Sequence, residues 1–175
     1  MPKPTLAKSA DLCDAPDSLM QAADDDAAQV LRQFRIVFNA VRHHFRRVEN
    51  ASGLGGAQIW ALGLVAASPG LRVNALAAAM DIHQSTASNL LRGLTERGLL
   101  RAERETTDRR SVKLHLTDTG QAALDRAPGP YAGVLPDALA QLDPATLMQL
   151  SAGLGQLIAT LQADEAAGRL PLAQL

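Results

Sequence analysis

Short polar side chains and arginines are concentrated in one stretch of the chain, residues 83–117, HQSTASNLLRGLTERGLLRAERETTDRRSVKLHLT. Their hydroxyl, amide and guanidinium groups can donate hydrogen bonds to phosphate oxygens and to the edges of base pairs. Two of the arginines, Arg109 and Arg110, are adjacent in a polar turn. The chemistry that these residues offer is hydrogen bonding and charge attraction to a nucleic acid.

The elements that must position these groups are a helix and a hairpin. The spacing of the leucines predicts an amphipathic helix over 83–97, and Gly98 is a typical helix stop. Strands are predicted at about 99–105 and 111–116, because apolar and polar residues alternate in the second of them. A helix fits the major groove of DNA, and a cationic hairpin tip can enter the minor groove. This order predicts a winged helix-turn-helix that binds DNA.

The candidate DNA contacts are the outward-facing polar residues of this helix and the tip of the wing. They are Gln84, Ser85, Thr86, Ser88, Asn89, Arg92, Asp108, Arg109 and Arg110. The alternative is an ordinary solvated helix face followed by a solvated turn of mixed charge. The order of helix, strand, Asp-x-Arg and strand favours DNA binding over that alternative.

Elements before and after this unit predict a dimer. The first helix is expected over about 24–49, with an apolar stripe on one side and arginines and Asn39 on the other. The favoured interpretation of those polar residues is a solvated helix face. The stripe consists of Val30, Phe34, Val37, Val41, Phe45 and Val48. Pro128 and Pro130 break the helix that Thr117 caps, and the last helix follows Asp143. Its leucines keep a 3-4-3-4 spacing, which is typical of a helix-packing seam: Leu147, Leu150, Leu154, Leu157 and Leu161.

The predicted fold class is mainly α with a small two-stranded antiparallel wing. The chain is divided into a flexible extension (1–23), an N-terminal dimerisation helix (24–53), a winged helix-turn-helix (54–117), C-terminal dimerisation helices (118–165) and a tail (166–175). In the turn of the DNA-binding unit, Asp81 is expected at positive φ, with Ile82 filling the turn. Homodimerisation is expected through the N- and C-terminal helices.

Charge and composition are compatible with this prediction. The net charge is only −1, but 92–113 carries seven basic and four acidic residues, and 29–50 carries five arginines against Glu49. Local charge rather than the total sets the attraction to phosphates. One cysteine excludes an internal disulfide, and neither a secretory signal nor a membrane-spanning run is evident, so a cytoplasmic protein is expected.

The segment LLRAERETTDRRSVKLHLTDTG resembles the wing of the multiple-antibiotic-resistance regulator (MarR) family, with Asp-x-Arg followed by Leu-Thr-x-x-Gly. The preceding ALAAAMDIHQSTASNLLRGLTERGLL is similar to the helix-turn-helix of that family. The resemblance implies a homodimeric repressor that binds palindromic sites in double-stranded DNA and is released by a small ligand or by oxidation. It also implies that Asp108 holds a wing arginine in place. Arg72 replaces the usual Thr or Ser helix cap, and Asn89 stands where arginine is common.

A second set of residues suggests an effector site. His44 falls within the apolar stripe of the first helix, with Arg47 beside it and His43 further round. The resemblance implies that effectors bind between the dimer helices and the DNA-binding lobe. With Trp60, these residues could hold a small aromatic carboxylate through charge and stacking. The alternative is that His44 is a hydrogen-bonded histidine in a dimer interface.

Other functions receive less support from the sequence. Cys13 suggests a redox sensor, but Asp11 and Asp14 disfavour its thiolate, so an incidental thiol is the preferred interpretation. No metal-ligand spacing, phosphate-binding glycine loop or catalytic triad is present, so neither an enzyme nor a cofactor is expected. The alternatives that stay open are a redox-controlled or ligand-independent regulator and a winged-helix module that binds protein instead of DNA.

Overall fold

The computed structural model describes residues 15–104 and 112–169. Seven α-helices and one short 3-10 helix (Glu165–Arg169) lie within these ranges. The α-helices are α1 (Ala15–Ser52), α2 (Gly56–Ala67), α3 (Val73–Ala79), α4 (Gln84–Glu96), α5 (Asp118–Arg126), α6 (Val134–Ala140) and α7 (Pro144–Leu161). Three short strands accompany them: β1 (Leu71–Arg72), β2 (Leu100–Arg104) and β3 (Val112–Leu116). The predicted mainly helical fold with a small antiparallel sheet is confirmed. The chain forms two compact units, which meet in sequence between Asn39 and Ala40.

The first unit contains the N-terminal part of α1. This helix begins at Ala15, nine residues before the predicted start at Asp24, so part of the expected flexible extension is helical. The segment SLMQAA consists mostly of good helix formers, and Pro16 is tolerated in a first turn. Ile36 and Phe38 are 67% and 58% exposed, and Phe34 stacks on Phe38 with ring centroids 6.2 Å apart.

The second unit contains the hydrophobic core. α2, α3 and α4 enclose it, and buried aliphatic side chains from the sheet and α5 complete it. Its largest fully buried side chains are Val48, Leu54, Ile59, Leu62, Val65, Leu76, Leu94, Leu100 and Leu114. Each such side chain contributes about 1.5–3 kcal/mol through its removal from water. The core therefore fixes α4 in the scaffold through the apolar side of that helix.

The sheet has the order β1-β3-β2, with both pairings antiparallel. β2 and β3 form the predicted hairpin, in which Ala102 faces Leu114 across the ladder. β1 is an additional strand beyond the two predicted, and its Leu71 also pairs with Leu114. Two residues are too few for an alternation pattern to be visible in sequence, which is why β1 escaped prediction.

The turn before α4 has the predicted geometry. Asp81 has φ +49°, and Ile82 is buried beneath the turn. Asp is one of the few residues other than glycine that tolerate the left-handed region. Gly98 follows the C-terminal end of α4 with φ +68°, as a helix stop requires. Arg72 precedes α3 and gives it no side-chain cap.

Two predicted caps start the C-terminal helices. Thr117 caps α5, because its Oγ1 accepts a hydrogen bond from the backbone N–H of Gly120 at 3.0 Å. Asp143 caps α7 and accepts from the backbone N–H groups of Ala145 and Thr146. The Thr146 hydroxyl, with additional backbone donors, lowers the pKa of Asp143 below its ordinary value. These hydrogen bonds favour the carboxylate form that caps the helix.

Within the described residues, the last helix has an exposed apolar side. Neither α6 nor α7 has a buried residue. In α7 only Leu147 of the predicted seam is half-buried, whereas Leu150, Leu154, Leu157 and Leu161 are exposed. Among the described residues, α7 therefore presents an exposed apolar stripe, a feature that often marks an interaction surface.

Candidate nucleic-acid interface

The outer side of α4 presents the polar residues that were predicted from the sequence. Ala87, Leu91 and Leu94 are buried on the inner side. The exposed polar residues are Gln84, Ser85, Ser88, Asn89 and Arg92, and Thr86 is half-buried at the edge of the same group. The fold therefore brings all six helix candidates to one side of an anchored helix, which is the arrangement that major-groove contact requires.

The N-terminus of α4 offers backbone donors in addition to side chains. His83 precedes the helix and provides no side-chain cap, and the first helical hydrogen bond runs from the Ala87 N–H to the His83 carbonyl. The N–H groups of residues 84–86 are thus left without an intrahelical partner. Such groups, at the positive end of the helix dipole, favour a phosphate.

One hydrogen bond links two candidates on the outer side of α4. The Arg92 Nη2 donates to Asn89 Oδ1, and both side chains are exposed. Gly93 follows Arg92, and a Cβ at this position would meet no atom within 4 Å. Packing inside the chain therefore does not require a glycine here.

Arg97 joins the end of α4 to the start of α2. Its Nη1 donates to Gln58 Oε1 and its Nη2 to the Gly53 carbonyl, both at 3.3 Å. Gln58 Oε1 also accepts from the Gly55 N–H at 3.1 Å. The sequence carries no sign of this role for Arg97, because a residue at the end of a helix gives no signal of a contact 39 positions away.

The wing is described up to the end of β2 and from the start of β3. On the β2–β3 ladder, Glu103 forms an ion pair with Arg101 at 2.8 Å and lies 3.6 Å from His115 Nε2. The three candidates at the tip, Asp108, Arg109 and Arg110, lie outside the described residues. Their roles stay predictions.

A cavity of about 120 Å³ lies in the second unit, and its lining is almost wholly apolar. The lining residues are Val41, Phe45, Gly56, Trp60, Tyr131, Ala132, Gly133, Val134, Leu135 and Pro136. Gly133 has φ +101°, and a Cβ there would lie 3.0 Å from the Phe45 ring. The cavity thus places three aromatic rings around one small space, which suits a planar apolar ligand.

Of the four predicted effector residues, the cavity includes only Trp60. His44 is 5% exposed and its Nε2 lies 3.0 Å from the Pro130 carbonyl oxygen, so it ties α1 to the segment that begins the cavity wall. His43 and Arg47 are exposed and do not line the cavity. His44 matches the alternative of a hydrogen-bonded histidine, although its partner belongs to the same chain.

Most of the cavity could not be predicted from the sequence, because its wall combines residues of α1, α2 and the 131–136 segment. The available signal was the single tyrosine of the chain, Tyr131, directly after Pro130. Within the described ranges, no group of histidine, cysteine, aspartate and glutamate side chains could hold a metal ion. None of the helices in these ranges combines the length and the apolar character needed to cross a bilayer.

The helix-turn-helix of α3 and α4, followed by the β2–β3 hairpin, defines a winged-helix domain. Residues 52–111 match the family model described as MarR family. The predicted resemblance is therefore confirmed. The matching family and the relative described next are transcriptional regulators, not enzymes.

Similar proteins agree with this assignment. A Thauera aromatica protein, provisionally named a transcriptional regulatory protein for the hcr operon, is 36% identical over 87 residues. The match covers 50% of this chain and 52%, about half, of the length of that relative. The S. aureus MepR–DNA complex has a TM-score of 0.53 and 23% identity over 74% of this chain and 96% of its own. The M. tuberculosis regulator MOSR, solved with DNA, has a TM-score of 0.50 and 25% identity over 75% and 96%.

Proposed function

We propose that this protein is a DNA-binding transcriptional regulator, and that it represses a promoter by occupying an inverted-repeat operator. The observation that carries the proposal is the exposed polar side of α4, anchored by buried leucines and followed by the hairpin of a MarR-type winged helix. Arg110, and with it Arg109, would enter the minor groove beside the half-site that α4 contacts. This function requires the cytoplasmic location that the sequence predicts.

The uncovered apolar residues of α1 and α7 support the proposal that the regulator is a homodimer. Val37 and Phe38 on α1, and Leu154, Leu157 and Leu161 on α7, are exposed in the single chain. A second copy covers them in our proposal, since a two-fold interface joins the same surface of both subunits. The two copies of α4 would then contact half-sites about 10 base pairs apart.

The decisive experiment compares a native upstream fragment with random-sequence competitor DNA at several salt concentrations. The full chain should prefer the native fragment, and its affinity should fall steeply with salt, with a log–log slope near −0.9 for each phosphate contact. Arg110→Ala should weaken binding at least tenfold while the dimer persists. Arg126→Ala removes the same charge from an exposed site on α5 and should leave binding unchanged.

Two results of this experiment would contradict the proposal. Equal binding of native and random DNA would exclude an operator. An Arg110→Ala protein that binds as tightly as Arg126→Ala would remove the wing from the interface. The rival function, a winged-helix module that contacts protein through apolar surfaces, would be supported by retention of a captured protein at salt concentrations that release DNA.

We further propose that a small aromatic acid in the cavity releases the DNA. The support is the aromatic lining formed by Phe45, Trp60 and Tyr131. Release would follow from a change in the separation of the two α4 helices between pre-existing states. In this proposal Arg47 and His43 bind the carboxylate of the ligand, and both residues are exposed in the single chain.

A thermal-shift panel tests this effector. Benzoate and hydroxybenzoates should raise the melting temperature by roughly 5–10 °C at a hundredfold excess over the dissociation constant, since such binding stabilises by about 2.7 kcal/mol. The same compounds should release operator DNA. Ala132→Phe, which fills the cavity, should abolish both effects, whereas Ala132→Ser should retain them.

Each arm of the panel separates one hypothesis from another. If neutral benzamides raise the melting temperature as much as the corresponding acids do, the site recognises only the aromatic ring. His44→Ala should remove the response, because it releases the Pro130 segment. No shift with any compound would favour the ligand-independent regulator. Peroxide treatment that releases DNA, and fails to do so in Cys13→Ser, would favour the redox-controlled one.

A further inference from the structure

We propose that Asn89 and Arg92 act as one unit that selects guanine in each half-site of the operator. The proposal rests on the DNA-binding function proposed above and goes further by naming a base and the pair of side chains that recognises it. Both residues are exposed on the outer side of α4, three positions apart, and the Arg92 guanidinium donates a hydrogen bond to Asn89 Oδ1.

This hydrogen bond changes what Asn89 can recognise. A free asparagine pairs with adenine by accepting from the N6 amino group and donating to N7. In this chain Asn89 Oδ1 already accepts a hydrogen bond from the Arg92 guanidinium. An adenine amino group that bound the same oxygen would be a second donor, placed beside the positive charge of Arg92. The bond therefore occupies one of the two lone pairs of Asn89 Oδ1 and makes acceptance from an adenine amino group less favourable.

The same bond favours guanine recognition by Arg92. A guanidinium has five N–H donors, and the bond to Asn89 engages one of its nitrogens while leaving donors on the others. Guanine presents two acceptors, O6 and N7, to the major groove, and a bidentate arginine matches them. Because Asn89 holds the guanidinium, less side-chain freedom is lost when the base is bound.

The surroundings of Arg92 leave it available for this role. Glu96 lies one turn further along α4, yet within the described residues no carboxylate forms an ion pair with Arg92. Gly93 follows with no side chain, and the space where its Cβ would lie is open. A base edge or a phosphate could therefore approach the helix backbone closely at this point.

Selection of bound duplexes from a random-sequence pool by the full-length protein provides the test. We expect one fixed G·C pair in each half-site whose replacement by A·T weakens binding at least tenfold. In Arg92→Ala this discrimination should fall below about twofold. In Asn89→Ala it should decrease severalfold but keep its preference for guanine, and Arg126→Ala, at an exposed site on α5, should leave it unchanged.

The double variant Asn89→Ala/Arg92→Ala distinguishes a unit from two independent contacts. Discrimination in the double variant should equal that of Arg92→Ala alone, because Asn89 acts through the arginine. Additive losses would overturn the proposal, as would selection of adenine at this position that is lost in Asn89→Ala. Unchanged melting temperatures would establish that each variant folds. If the wild-type protein selects no sequence at all, the proposed function fails; if it selects one that neither variant alters, only this inference fails.

Discussion

Replacement of Gly120 by alanine is expected to destabilise the protein by at least about 2 kcal/mol, a large fraction of the total stability of a typical domain. A Cβ at this position would lie 2.1 Å from the carbonyl oxygen of Leu99 and 3.1 Å from Leu116 Cδ1. The closer contact is with backbone, which cannot move aside as a flexible side chain does. Relief of the clash would require α5 to separate from the start of β2.

Urea denaturation measures this effect as a lower midpoint with a similar slope. Gly93→Ala is the matched control, because it also places alanine in a helix but meets no atom within 4 Å. That variant should be stabilised by about 0.5–1 kcal/mol, since alanine is the better helix former. If Gly120→Ala is as stable as Gly93→Ala, the packing of α5 against Leu99 described above is incorrect.

Gly120 also gives a physical reason for the Leu-Thr-x-x-Gly pattern of the sequence. Leu116 ends β3, Thr117 caps α5, and the backbone N–H of Gly120 donates to the Thr117 hydroxyl. Thr117 in addition donates from its hydroxyl to the Gly98 carbonyl and from its backbone to the Leu99 carbonyl. One short segment thus ends the wing, starts α5 and contacts the residues that follow α4.

Features that depend on local chemistry could be predicted from the sequence. The positive φ of Asp81, the caps at Thr117 and Asp143, and the buried side of α4 all follow from a few neighbouring residues. Features that depend on distant contacts could not be predicted. β1 has only two residues, and the cavity wall unites Val41 on α1 with the 131–136 segment, about ninety positions away.

His44 shows the same division. Its place in the apolar stripe predicted burial, and it is buried. Its partner, the Pro130 carbonyl, lies 86 positions away in a segment whose path no periodicity indicates. The helical wheel therefore predicted correctly that His44 lies on the buried side of α1. It could not predict the hydrogen-bond partner, because that depends on the fold of the whole second unit.

Substitution of Leu157 by glutamate is expected to convert a dimer into folded monomers. In the single chain Leu157 is 38% exposed, and α7 has no buried residue, so the substitution leaves the core intact. In the proposed dimer each copy loses about 2 kcal/mol of apolar burial, and two-fold symmetry doubles the loss to about 4 kcal/mol. The dissociation constant should rise about a thousandfold.

Sedimentation equilibrium measures this change, and Gln156→Glu is the matched control. It introduces the same charge one position away, outside the 3-4-3-4 seam and on an exposed part of α7. The control should remain dimeric and retain operator binding. Leu157→Glu should lose operator affinity together with dimerisation, because a monomer contacts only one half-site. A wild-type chain that sediments as a monomer, or a Leu157→Glu protein that remains dimeric, would show that the leucine seam of α7 is not the interface. A different partner would then be needed to cover the exposed apolar side of α7.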